Sequence, residues 1–252
     1  MERSVTGAFG AQHCINCMCH PLENLYAYYN TTMARASEDF YPRDPASHTL
    51  HVANVAYNSL FLGEIVVPDW DMFQSANAVA TLHAVARAVG GCSVYISDHP
   101  GEHDFSLLRR IVLPSGEVLR AQQPGKPTRD TLFADVTRDG VTACKIWNVN
   151  AAGAGVVAAF NLQGYHWDRV SRCMRANDPS GAPAPHVTAH VGPADYEPAV
   201  AAVEEGVQGG RGGEREGGRM WAVLQTQWSV DGALKHRDLA LMSYAERRCV
   251  CE

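Results

Sequence analysis

The sequence predicts an α/β fold whose strand ends pool acidic side chains in one pocket, as in a (β/α) barrel, followed by a β-rich region. Three observations support this. From Cys14 to about Pro124, apolar strand-like runs alternate with helix-like segments, which favours a parallel sheet or barrel over an antiparallel sandwich. Three of these runs lead into acids: Arg35-Ala36-Ser37-Glu38-Asp39-Phe40-Tyr41, Pro68-Asp69-Trp70-Asp71-Met72-Phe73 and Val94-Tyr95-Ile96-Ser97-Asp98. After about Gly125 the helical spacing gives way to short strand-like runs and turns. A carboxylate prefers water, so its place at the end of a buried strand needs a reason. Rings beside acids suit a sugar, whose C–H faces stack on aromatics and whose hydroxyls bond to carboxylates.

The elements follow in order. Ile15 to Cys19 reads as a strand and Thr31 to Ala36 as a second. Ser47 to Leu62 carries Leu50, Val52, Ala53, Ala56 and Leu60 at helical spacing, with Ser47 as its expected cap. Ile65-Val66-Val67 is a buried run stopped by Pro68. The Ala-rich stretch Ser75 to Val89 predicts a helix ended by Gly90-Gly91. Ser93 to Ile96 is a further strand, and Phe105 to Leu113 a helix closed by Pro114. Thr142 to Asn148 and Gly155 to Asn161 read as antiparallel partners across the Ala151-Ala152-Gly153-Ala154 turn. Asn177 to Pro185 is a loop, and Trp221 to Trp228 and Leu239 to Tyr244 are returning strands. The Gly/Glu/Arg-rich stretch 204–219 has almost no apolar side chains to offset its ordering entropy, so a mobile insert is expected there. The boundary implied is 1–125 for the α/β part and 126–252 for a β-rich domain.

Composition excludes several classes. A net charge of −6 with no basic stripe argues against a nucleic-acid partner. No run of about 18 apolar residues predicts a membrane helix. The segment Met1 to Gly10 has no apolar core of a secretory signal, so a cytoplasmic protein is expected. The eight cysteines are scattered and read as reduced thiols rather than a disulfide framework. Cys14, Cys17, Cys19 and His20 form a C-x-x-C-x-C-H run that invites zinc. Alternation along a strand, however, would put Cys17 and Cys19 on one face and Met18 and His20 on the other, so a strand without metal is favoured. Cys249 and Cys251 carry no interpretation.

The run from Arg35 to Pro45 resembles the plant raffinose synthase and seed-imbibition proteins of glycoside hydrolase family 36. So do Ala56 to Glu64, Pro68 to Phe73, Ala86 to Cys92, Tyr95 to Asp98, Pro127 to Asp130 and Lys145 to Asn148. The likeness is close over about residues 13 to 167, with Ala194 to Pro198 a weaker echo. It implies the C-terminal half of a (β/α)8 TIM barrel followed by a partial antiparallel β-sandwich. It also implies a retaining α-galactosyl enzyme working by double displacement without a cofactor, on galactinol, sucrose and raffinose-type oligosaccharides. Two carboxylates ~5–5.5 Å apart serve such enzymes, one as nucleophile and one as acid/base. Arg35 and Asp39 match the family's Arg-x-x-x-Asp pattern, so Asp39 is the expected acid/base and Arg35 would hold a galactose hydroxyl.

Asp69, Trp70 and Asp71 have two readings: a lining of the sugar pocket, or a helix cap (Asp69) with a packing indole (Trp70). Asp98 would contact substrate or cap the following turn, and Cys17 or Cys19 could touch the sugar at the strand end. The family nucleophile is the Asp of a Lys-x-Asp strand ahead of the Cys-Met-Cys-His strand. Only thirteen residues precede Cys14 here and none is Asp, so the chain reads as the C-terminal part of a longer protein. A plastid address remains compatible with a missing N-terminus. The compact Phe40 to His48 segment is more similar to the alkaline α-galactosidase-like branch. Galactosyl transfer, hydrolysis of raffinose-type sugars and a catalytically silent fragment are the three expectations left open.

Overall fold

Apolar runs too short to stand alone assemble as a parallel sheet in the first part of the chain. The structure is a computed structural model that describes residues 2–10, 13–196, 221–224, 241–242 and 249–251. Helix α1 (Glu2–Phe9) precedes strand β1 (Ile15–Asn16), the single turn α2 (Leu22–Leu25) and strand β2 (Met33–Arg35). Helix α3 (Pro45–Leu62), strand β3 (Val67–Asp69), helix α4 (Ala80–Gly90) and the short helix α5 (Phe105–Leu108) follow. The strands lie in the order β1-β2-β3, all parallel, with Ala34 opposite Pro68 and Arg35 opposite Asp69. The expected strand at Ser93 to Ile96 is reduced to one parallel bridge between Phe73 and Ile96.

Several boundaries differ from expectation for identifiable reasons. Pro68 does not stop the strand but lies inside it. β3 bonds to β2 through the Val67 amide and the Asp69 carbonyl, so the missing N–H of Pro68 costs no ladder bond. The cap of α3 is Asp44, whose carboxylate accepts from the Ala46 amide at 3.1 Å with Pro45 in the first helical position. Ser47 instead donates to the Asp44 carbonyl at 2.7 Å. Strand β1 ends at Asn16, so Cys17 and Cys19 lie in the loop beyond it and the alternation argument does not reach them.

Helix α4 stops where expected. Gly91 takes φ +69°, and a Cβ there would stand 2.0 Å from the Gln123 carbonyl oxygen. The Phe105 to Leu113 helix shortens to one α-turn and a 3-10 turn at Arg109–Ile111.

The later chain is mostly antiparallel. Strands β4 (Lys126–Pro127), β5 (Cys144–Val149) and β6 (Gly155–Phe160) join β10 (Trp221–Leu224) and β11 (Leu241–Met242) in one five-stranded sheet. The expected β5–β6 hairpin is present, whereas β10 runs parallel to β6. Two further pairs complete the strands: β7 (Tyr165–Asp168) with β8 (Cys173–Ala176), and β9 (Val187–Ala189) with β12 (Cys249–Cys251). The 204–219 insert lies outside the described residues. Among the described residues no helix is long and apolar enough to cross a membrane.

One core serves both parts of the chain. Ala34, Val52, Trp70, Val85 and Val89 from the α/β part pack in the same cluster as Ile146, Ala158 and Phe160 of the β-rich part. Asn148 seals the junction by donating to the Val89 carbonyl at 2.6 Å.

Candidate functional site

Parallel register decides what meets at these strand ends. Arg35 closes β2 directly beside Asp69 of β3, so its guanidinium reaches that carboxylate at once. Arg35 Nε donates to Asp69 Oδ2 at 2.9 Å, Nη2 lies 2.8 Å from Asp71 Oδ1, and Nη1 donates to Asp39 Oδ1 at 3.1 Å. Burial works against the guanidinium charge, but its bonds and attraction to Asp69 and Asp71 outweigh that and raise its pKa. One cation against three carboxylates leaves the cluster net negative, a field that favours positive charge on a ligand.

The three acids are not alike. Asp69 is 0% and Asp71 1% exposed, whereas the Asp39 side chain is 71% exposed. Asp71 sits at φ +62°, in the left-handed region, a conformation Asp tolerates better than most residues. Its Oδ2 accepts from the Phe40 amide and its Oδ1 from the Met72 amide, each at 2.7 Å. The Phe40 contact ties the loop that carries Asp39 to the end of β3. Asp69 Oδ1 is buried without a hydrogen-bond partner among the described residues, an acceptor that a hydroxyl donor would satisfy.

Tyr95 belongs to the cluster although sequence reasoning passed over its side chain. Its hydroxyl donates to Asp69 Oδ2 at 2.9 Å and stands 3.5 Å from Asp71 Oδ1. Burial and the Asp69 charge both raise the pKa of this phenol, so it remains a donor. His20, at 2.9 Å from the Arg35 carbonyl, sits beside the same strand end. Tyr95 lies in the Ser93 to Ile96 run three residues before an expected acid, which was the available signal for it.

Other expected site residues are elsewhere or are covered. Trp70 is fully buried, its indole under helix α4, so no ring face is open for a sugar and its place is in the core. A Cβ on Gly90 would stand 2.7 Å from that indole. Gly90→Ala is therefore expected to lower stability by a net ~1–2 kcal/mol, overpacking outweighing the gain in helix propensity. The readout is a lower denaturation midpoint at unchanged m; an unchanged midpoint would show that the ring yields.

Asp98 does not join Arg35. Its two oxygens accept from the Ser75 amide at 2.6 Å and the Ser75 hydroxyl at 2.5 Å, and His103 Nδ1 lies 3.1 Å away. Burial opposes its charge, but these bonds prevail and hold its carboxyl below the usual range. It ties together the turn that follows Phe73. Cys19 is buried with its thiol on the Asn16 carbonyl, which removes it from any ligand face, while Cys17 is exposed. A separate cleft of about 320 Å³ is lined by Glu38, Asn54, Tyr57, Asn58 and residues 134–137, none of them an expected site residue. Burial raises the pKa of Glu38, whose two carboxylate oxygens accept from the Asn54 side-chain amide.

The family model for "Raffinose synthase or seed imbibition protein Sip1" matches residues 1–207. The chain belongs to this family. It is 49% identical over 192 residues to "Probable galactinol--sucrose galactosyltransferase 1" of Arabidopsis thaliana, covering 71% of the chain and 25% of that relative. It is 53% identical over 172 residues to "Probable galactinol--sucrose galactosyltransferase 6" of the same plant, covering 68% of the chain and 23% of the relative. With "Stachyose synthase" of Pisum sativum the identity is 39% over 168 residues, covering 62% and 20%. The chain thus spans about a quarter or less of the length of these curated relatives.

Proposed function

We propose that the Arg35-centred cluster is the acid/base side of a galactoside site, and that the whole protein transfers α-galactosyl groups among raffinose-series sugars. The observation that carries this is the asymmetry of the three acids on one guanidinium. Asp69 and Asp71 are buried and locked; Asp39 alone of the three is exposed enough to trade a proton with a ligand. The names of the relatives supply the substrate class: galactinol as donor and sucrose, or a larger raffinose-type sugar, as acceptor.

In this reading Asp39 protonates the departing glycosidic oxygen and then deprotonates the acceptor hydroxyl, as the general acid/base of a retaining double displacement. The net negative cluster stabilises the oxocarbenium-like charge that develops at the anomeric carbon. Arg35 holds Asp39 in place, and the half-buried Tyr95, rather than the covered Asp69, is the neighbour placed to meet a sugar hydroxyl. The second carboxylate, by family pattern, is the Asp of a Lys-x-Asp strand. We read β1 to β3 with α3 and α4 as consecutive units of a (β/α)8 barrel, and the part after about residue 125 as the sandwich. Parallel register and acids at the carboxyl ends of the strands support that reading.

Calorimetric titration with D-galactose, with D-glucose as control, tests the site. Arg35→Lys keeps one charge but loses the three-way fork, so galactose affinity is expected to fall at least ~10-fold in a folded protein. No preference for galactose over glucose, or an Arg35→Lys variant with undiminished affinity, would remove the basis of this reading.

A further inference from the structure

Behind the acidic cluster lies a second polar group that the proposed chemistry does not use. Arg87, on α4, is completely buried, with Cζ 5.5 Å over the Phe73 ring. Its five N–H donors have six partners within reach, the sixth being His51 Nε2 at 3.2 Å from Nη2. Nε donates to the Asp71 carbonyl at 3.0 Å; Nη2 donates to the Trp70 carbonyl at 2.6 Å and the Met72 carbonyl at 3.0 Å. Nη1 donates to His83 Nδ1 at 2.9 Å and to the His83 carbonyl at 3.2 Å. Three consecutive carbonyls at the end of β3 therefore converge on one guanidinium, around the residue with left-handed φ.

We propose that Arg87 is the positioning residue of the acidic cluster, fixing the Trp70-Asp71-Met72 backbone so that the Asp71 carboxylate points at Arg35 and the Phe40 amide. This rests on the galactoside reading only for its consequence in binding. The geometry itself does not depend on it. Without Arg87 the Asp71 and Met72 carbonyls would lose the donors described for them, and the Trp70 carbonyl would keep only His51.

The donor count also dictates proton positions on three buried rings. The Nη2 hydrogens serve the two shorter carbonyl contacts and His51 Nδ1 is buried with no partner among the described residues, so His51 Nε2, 3.0 Å from the Trp70 carbonyl and 3.2 Å from Nη2, is the donor there. His83 Nδ1 accepts from Arg87, so His83 Nε2 carries the hydrogen and donates to His48 Nδ1 at 2.8 Å. All three are thus neutral Nε2–H tautomers. The charged groups facing them are Arg87 for all three, Asp44 beside His48 and Arg35 towards His51.

Nuclear magnetic resonance on the full chain, labelled in histidine rings and backbone, tests this without any activity. The wild type should show neutral Nε2–H patterns for His48, His51 and His83. It should also show a strongly downfield Phe40 amide proton, from the 2.7 Å bond to Asp71. An Nδ1–H ring, or a Phe40 amide at an ordinary shift, overturns the proposal even if no variant folds. In Arg87→Lys, which has too few donors for five acceptors, the Phe40 amide should move upfield and galactose affinity should fall at least tenfold. A merely structural role would lower the melting temperature while leaving both readouts of the folded fraction unchanged, and that result also overturns it. Failure of the wild type to bind galactose while the amide shift still responds to Arg87→Lys would count against the galactoside reading alone.

Discussion

In the whole protein, Asp39→Asn is expected to lower turnover of a galactoside with a sugar leaving group by about 10²–10⁴-fold, with folding unaffected. The fold should be indifferent because the Asp39 side chain is 71% exposed and the hydrogen bond described for it is the one from Arg35. The chemistry should not be indifferent. A sugar alkoxide is a poor leaving group and needs its proton in the transition state, and an amide supplies none. p-Nitrophenolate leaves with far less help, so the loss on p-nitrophenyl α-galactoside should be markedly smaller at the first step. The check is the ratio of the two losses in kcat/KM. Equal losses on both substrates would deny Asp39 the role of proton donor. A wild-type chain that binds galactose but turns over neither substrate would instead support a silent binding fragment.

Mild acid is expected to weaken the fold by several kcal/mol, well above the range where carboxylates protonate. Burial is the chief cause holding His48 at about 4 and His51 at about 3, against 6.5 for a free ring, and the neighbouring Arg87 charge lowers both further. His83 is lowered well below 6.5 by the same two causes. Because the folded values lie below the unfolded one, protons bind the unfolded chain more readily. The stability is complete above pH 6.5 and is lost as pH falls from there towards about 4. By pH 5 the loss is roughly 2 kcal/mol for each of His48 and His51.

The lowered carboxylates do not mask this window, whereas Glu38, raised by burial, works in the opposite sense. Glu2, whose bonds to the amides of residues 29–31 lower it to about 2 from 4.5, loses its contribution only as pH falls from about 4.5 towards 2. Urea midpoints at pH 7.5 and pH 5 measure the histidine effect, and His48→Gln should shrink it. A midpoint unchanged over that range would mean that the rings are not held neutral.

The same contrast between exposed and buried polar groups explains how much could be read from the chain. The α3 and α4 periodicities, the stop at Gly91, the β5–β6 hairpin and the parallel order of the early strands were all legible. Each depends on local spacing or on a backbone angle that few residues accept. Arg35 and Asp39 were singled out through the resemblance to the family's Arg-x-x-x-Asp pattern, since that spacing alone is common in surface pairs. The fate of the other acids was not legible. Asp69 and Asp98 both follow apolar runs, yet one binds the guanidinium and the other a serine turn, since direction is decided by which strand lies alongside. Trp70 could have faced a ligand or the core, and the close approach of Gly90 made it core.

Residue order along the chain determined the α/β class and the family. Tertiary structure alone decided which carboxylates share a cation, which ring lies under a helix, and that Arg87 gathers three carbonyls. Those contacts are made by backbone atoms common to every residue and by segments far apart in the chain, so they leave no mark on composition or periodicity. Packing of α4 against the end of β3 brings them within reach.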